Sequence, residues 1–230
     1  MIHILWTIPL TIFIYGIIFI LQKKFKQTWL NPLLTTSLIL IAFLLLTGIN
    51  YDTYKEGSQL ITFFIGPATV SLALPLYEKM DLFKKHWKLI LITIFIGVVV
   101  HAITIGLIVV IMKSDTTMLA TFIPKSVTTA IAIDISSSLG GIKYLTVTIV
   151  VLTGVFGVLI APPIFKLFKI NDPIARGLSL GASAHAVGTS KAIEYGSVEA
   201  SMSTLALIFT GLMTVLLSPV IYKIIELLIT

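Results

Sequence analysis

Apolar residues dominate this chain in long runs, separated by short basic or polar stretches. Six runs approach the about 20 residues that an apolar helix needs to cross a bilayer. They are 4–21, 33–49, 60–76, 89–112, 145–165 and 203–222. The runs are continuous, without the period-two alternation of barrel strands, so they predict helices. The run 60–76 is the weakest, because Gly66, Pro67 and Pro75 interrupt it and predict a hinge or a break. Two further stretches, 120–139 and 177–195, are rich in Gly, Ala, Ser and Thr and carry isolated ionisable residues. The pattern predicts an all-α integral membrane protein with about six spanning helices plus two re-entrant or broken polar helical segments. We read one polytopic domain, 1–230, with N-terminal helices in 1–58 and a core in 59–230 that holds both polar segments.

Composition strengthens this reading. Of the 230 residues 57% are hydrophobic and 11% charged, against about 25% charged in ordinary soluble domains. Mean hydropathy is +1.06. A soluble fold of this size needs a charged shell that the chain cannot supply, so a lipid bilayer is the expected solvent. There are no cysteines, which excludes disulfides, thiol catalysis and cysteine-ligated metals. The net charge of +6 comes largely from short loops between apolar runs, which points to membrane topology and not to nucleic acid. The first apolar run is read as a retained span. Its cations, Lys23, Lys24 and Lys26, follow it, and no small-residue cleavage site comes after it.

The basic loops constrain the path of the chain. Loops 22–32, 78–88 and 166–176 carry the lysine and arginine excess and belong on the cytoplasmic side. With the N-terminus outside, residues 113–118 also fall outside. If 120–139 then crosses completely, the basic loop 166–176 ends on the wrong side. If 120–139 enters and returns, that loop falls inside, and 177–195 enters from the cytoplasm. The second path yields a candidate inverted repeat, in which 89–112 with 120–139 matches 145–165 with 177–195. TTAIAID (128–134) and TSKAIE (189–194) are its weak sequence trace. Transporters bind substrate where such irregular segments meet.

The two polar stretches hold the candidate chemistry. In FIPKSVTTAIAIDI (122–135), Pro124 suits the first turn of a helix and marks a break. Lys125, Ser126, Thr128 and Thr129 could then hold a carboxylate at a helix N-terminus; the alternative is a lysine snorkelling to the interface. Asp134 is a candidate cation partner, a proton carrier or a solvated loop end. In RGLSLGASAHAVGTSKAIE (176–194), Gly177, Gly181 and Gly188 permit close backbone approach, and Gly181 is a candidate hinge or helix break. Ser183, His185, Gly188, Thr189, Ser190 and Lys191 are candidate substrate-binding residues. His185 is suited to proton coupling, since imidazole titrates near neutral pH. Glu194 is a second coupling candidate, although Lys191 and Glu194 are three apart and can pair with each other. His86 and His101 have no metal-ligand spacing. No GxSxG, P-loop or HExxH motif occurs, so neither an enzyme nor any metal or cofactor is expected.

PKSVTTAIAIDISSSLGGI (124–142) and NDPIARGLSLGASAHAVGTSKAIEYGSVEASMSTLAL (171–207) resemble the LrgB/CidB family of bacterial membrane proteins. LTGINYDTYKEG (46–57) and IGPATVSLALPLYEKMDLFKKHW (65–87) share the resemblance, which runs from about residue 30 to the C-terminus. The resemblance implies a multi-pass protein of the bacterial cytoplasmic membrane. It further implies a small LrgA/CidA-type membrane partner, and self-association is expected as well. Two functions are implied by the family. One is holin-like or antiholin-like control of murein hydrolase activity, autolysis and programmed cell death. The other is transport of small monocarboxylates such as pyruvate or glycolate. Polar residues concentrated in two internal stretches, instead of along one helix face, favour a cavity and therefore transport.

Overall fold

A computed structural model describes residues 4–25, 32–64, 67, 70, 71 and 73–229. Gly66, one of the expected hinge residues, lies outside these. The described residues form helices and no strands. The chain divides into two compact units, Met1–Leu72 and Ala73–Thr230.

The first unit contains α1 (Ile4–Phe25), α2 (Pro32–Thr47), α3 (Tyr51–Gly57) and α4 (Gln59–Phe63). α1 and α2 turn long aliphatic side chains outward, with Leu5 77% and Leu46 88% exposed; lipid is the medium that makes such exposure stable. Asn50 caps α3 through its side-chain oxygen, which accepts from the Asp52 N–H at 3.0 Å. The Thr11 and Tyr54 hydroxyls are 2.7 Å apart and tie α1 to α3. The Trp6 ring lies against Phe43 and Tyr54.

The second unit contains α5 (Ala73–Glu78), α6 (Met80–Ile111), α7 (Thr116–Phe122), α8 (Thr129–Ser138), α9 (Lys143–Leu167), α10 (Pro173–Tyr195) and α11 (Ser197–Ile229). Among the described residues four helices are long and apolar enough to span a bilayer: Leu5–Phe25, Met80–Ile111, Lys143–Leu167 and Ser197–Leu227. The expected span at 33–49 is the shorter apolar helix Pro32–Thr47. The expected span at 60–76 carries the short helices Gln59–Phe63 and Ala73–Glu78. Pro67 is helical, and Pro75 lies within α5 instead of at a described break.

Two segments fold back on themselves, and α9 is the ruler that shows it. The first is 116–138. The hydroxyl of Thr146, in the first turn of α9, donates to the Ser136 hydroxyl at 2.7 Å and lies 3.3 Å from the Thr121 carbonyl oxygen. The Ile142 N–H donates to the Thr121 hydroxyl at 2.9 Å. Residues on both arms therefore touch the same end of α9. Between the arms, Val127 and Ala132 pack on Val150, one turn further along. The turn, 123–128, thus reaches about 10 Å along α9 from its start, at 1.5 Å per residue.

The second segment is α10, whose two arms, 173–184 and 186–195, meet at His185 with φ 44° and ψ −132°. A straight helix would separate residues 180 and 192 by about 18 Å. Instead Leu180 and Ala192 share one buried cluster with Phe165. A Cβ at Gly188 would collide with the Leu180 carbonyl oxygen, so glycine there sets how closely the arms approach. At the open end the Arg176 guanidinium lies over the rings of Phe165 and Tyr195, 5.7 and 5.8 Å from their centroids. Arg176 also donates to the Ile170 carbonyl at 2.7 Å. His185 sits at the other end, with its Nε2 2.9 Å from the Val150 carbonyl oxygen. This hairpin spans about 22 Å of α9, from Phe165 to Val150.

Each hairpin begins with an aspartate cap. Asp115 accepts from Met118 N–H at 3.0 Å and Asp172 from Ala175 N–H at 2.8 Å. TTAIAID and TSKAIE both begin the returning arm just after the turn. α11 runs beside the second hairpin, and Gly181 makes that contact close, since a Cβ there would collide with the Ser203 carbonyl.

Candidate functional site

Two expected features of the polar segments are corrected. Pro124 does not start a helix. It lies in the turn between α7 and α8, and the following helix begins at Thr129 with Thr128 at its N-cap. A proline needs no N–H partner, which suits a turn as well as a first helical position. Gly181 is not the break in α10. The chain reverses at His185, and Gly181 serves close packing on α11.

A cavity of about 780 Å³ lies within the second unit. Its wall follows α6 from His86 to His101, and the first arm of α10 from Ile174 to Ser183. Thr210 and Thr214 of α11 complete one side. Lys125, Ser126 and Ile123, from the turn of the first hairpin, line it as well. Most of the wall is aliphatic, with Ile90, Ile94, Val98 and Leu178 prominent. The ionisable groups among them, Asp172 as well as Lys125 and the two histidines, and the hydroxyls are therefore the features that can orient a ligand.

The expected site residues divide by position. Lys125 and Ser126 face the cavity together, with the lysine ammonium 3.4 Å from the serine hydroxyl. Ser183 faces it from the second hairpin and donates to the Ser179 carbonyl at 2.6 Å. Thr128 and Thr129 are half-buried at the start of α8. His185 is 4% exposed and is engaged with Val150. Thr189 is buried, donating to the His185 carbonyl at 3.1 Å and lying 2.9 Å from the Ser203 hydroxyl. Gly188 packs between the arms. Ser190 is exposed and donates to the Ala186 carbonyl at 3.1 Å. Lys191 and Glu194 form the ion pair their spacing allows, at 2.5 Å, on the returning arm. Asp134 is exposed on α8.

The turns of both hairpins converge on Val150. Its side chain packs on Val127 and Ala132 of the first, and its carbonyl meets His185 of the second. Among the polar residues of the cavity wall, sequence reasoning did not assign His86, Thr93, His101, Asp172, Ser179, Thr210 and Thr214 to a site. The His101 Nε2 lies 3.1 Å from the Ile123 carbonyl oxygen. Its signal in the sequence is an ionisable residue within an apolar run, which is costly unless partnered.

No group of three or more His, Asp or Glu residues that could hold a metal occurs among the described residues. No solved structure matches the chain. A family model described as the LrgB-like family matches residues 11–224. That match takes in both hairpins, the cavity they line and all four long apolar helices apart from their ends, so this membrane protein belongs to the LrgB-like family.

Proposed function

We propose that the chain is a carrier of small monocarboxylates in the bacterial cytoplasmic membrane, and not an enzyme. The observation that carries this reading is the convergence of two polar hairpins on Val150 from opposite ends of α9. One of them presents Lys125 and Ser126 to a cavity that Ser183 of the other also lines. In the membrane both hairpins are re-entrant, one from each face, and together with α6 and α9 they form an inverted repeat. The end bearing Lys84, Lys85 and Lys88 of α6, Lys166 in the last turn of α9 and Lys169 just after it is cytoplasmic by its charge.

Chemically, Lys125 supplies the charge and Ser126 a hydrogen-bond donor for a carboxylate. Thr210 can donate to a keto or hydroxyl oxygen on the same small acid, and Ser183, whose proton goes to the Ser179 carbonyl, can accept from its hydroxyl. Further along α6, past His101, residues Ile105, Val109, Leu119, Ile123 and Ile225 pack into an aliphatic plug. This plug is the barrier that separates the cavity from the far side, and movement of the first hairpin opens it. A small LrgA/CidA-type membrane protein is the proposed partner, which would join this activity to control of autolysis through metabolite flux.

Uptake of labelled pyruvate and glycolate by liposomes containing the purified protein tests the reading. Saturable uptake that falls in Lys125→Ala, with the folded protein retained, is expected. Absence of uptake with and without the small partner would leave the alternative, antiholin-like regulation of murein hydrolases without transport.

A further inference from the structure

We infer that His101 is a positioning residue for the anion site: through its ring nitrogen it pins the turn that carries Lys125. The inference rests on the carrier reading for its functional consequence but not for its geometry. Ile123 is the C-cap of α7, at the helix end where carbonyls lose their intrahelical N–H partners. In a membrane-embedded segment such a carbonyl must find a partner within the protein. Pro124, next in sequence, has no N–H to offer and imposes its own φ. The partner comes from another helix, as His101 Nε2 of α6 lies 3.1 Å from the Ile123 oxygen.

A carbonyl only accepts, so Nε2 must carry the proton and donate. This bond fixes the backbone two residues before Lys125. On the far side of the turn, Val127 is 1% exposed in the cluster with Ala132 and Val150. Lys125 and Ser126 are thus held between two anchors, one polar and one apolar, and both face the cavity that the His101 ring also lines. The lysine stem has four rotatable carbons, so its ammonium is only as well placed as the backbone beneath it. Release of the Ile123 anchor therefore weakens substrate binding while leaving Lys125 itself in place.

The experiment compares His101→Gln, His101→Ala and His101→Met in nanodiscs and in pyruvate-loaded liposome assays. Glutamine retains an N–H donor, methionine retains bulk without one, and alanine retains neither. Amide hydrogen exchange is read at 123–128 and, as an internal reference, at 186–195. Faster exchange confined to 123–128 in the alanine and methionine variants is expected, with glutamine close to the native protein. In transport, the same two variants should raise the KM for pyruvate about tenfold, the scale of one lost buried hydrogen bond, with a smaller change in maximal rate. The glutamine variant should restore KM.

Unchanged exchange at 123–128 in His101→Met would overturn the inference, whatever transport does. Equal acceleration in both hairpins would also overturn it, since that pattern marks general loosening. Should His101→Ala fail to fold, the methionine and glutamine pair still decides. Local loosening of 123–128 in a protein that moves no pyruvate would uphold the latch and refute the carrier reading.

Discussion

The first hairpin reverses through six residues, 123–128, whereas the second reverses at His185 alone. The first reaches about 10 Å along α9 and the second about 22 Å. The first presents a cation and a hydroxyl to the cavity from its turn. The second buries its turn, and its hydroxyl contributions, Ser179 and Ser183, come from the arm leading into it. Its arms are locked by the Gly188–Leu180 approach, by Thr189 on Ser203 and by Arg176 over two rings. The first depends on the Thr146 hydroxyl bonds, the contacts at Val150 and His101. Two segments of similar composition thus divide the labour. The second hairpin is cavity wall held by its own packing, and in the proposed carrier the first is the part that brings Lys125 and Ser126 to the ligand.

That division makes predictions of graded size. Gly188→Val drives a side chain into the Leu180 carbonyl and should cost about 3 kcal/mol or more, the upper range of overpacking. Little monodisperse protein should survive gel filtration in detergent. Next, His185→Ala removes the contact with Val150 and should cost about 1–3 kcal/mol, read as a lower unfolding temperature. His185→Gly should fall between alanine and native protein, because glycine accepts the positive φ at no steric cost.

Lys125→Ala should leave stability near native and reduce pyruvate uptake about 10- to 100-fold at low substrate, the scale of one charged hydrogen bond. A fall in unfolding temperature as large as that of His185→Ala would erase the proposed difference between the hairpins. Thr146→Val breaks the hydroxyl links to Thr121 and Ser136 and should cost about 1 kcal/mol, with exchange rising in the first hairpin only. Smallest of all, Lys191→Ala removes an ion pair whose glutamate side chain is 61% exposed, so its effect should stay within about 0.5 kcal/mol.

The membrane class and the two polar segments were legible because apolar length and loop charge act on every residue of a span. Small and ionisable residues interrupt that pattern only where something other than lipid surrounds them. The reversal at His185 was not legible. Neither glycine nor proline occupies the position, and its backbone is set by packing against Val150, 35 residues away. Pro124 suggested a helix start, but a proline satisfies a turn equally well, and α8 begins five residues later. The site was half visible. Lys125, Ser126 and Ser183 stood out as polar groups in a membrane segment. His101 carried no partner in its own sequence neighbourhood, because its partner is a backbone carbonyl on another helix.

The central claim is that 116–138 and 173–195 each enter and leave on one side. The chain has no cysteines, so single cysteines can be placed at Ser114, Lys143, Asn171 and Ser197 without altering the background. They can then be labelled in cells with a membrane-impermeant maleimide. Ser114→Cys and Lys143→Cys should label from outside, and Asn171→Cys and Ser197→Cys only after the cytoplasmic side is exposed. Opposite sidedness of Ser114→Cys and Lys143→Cys, or of Asn171→Cys and Ser197→Cys, would mean a full crossing and would contradict the paired-hairpin account.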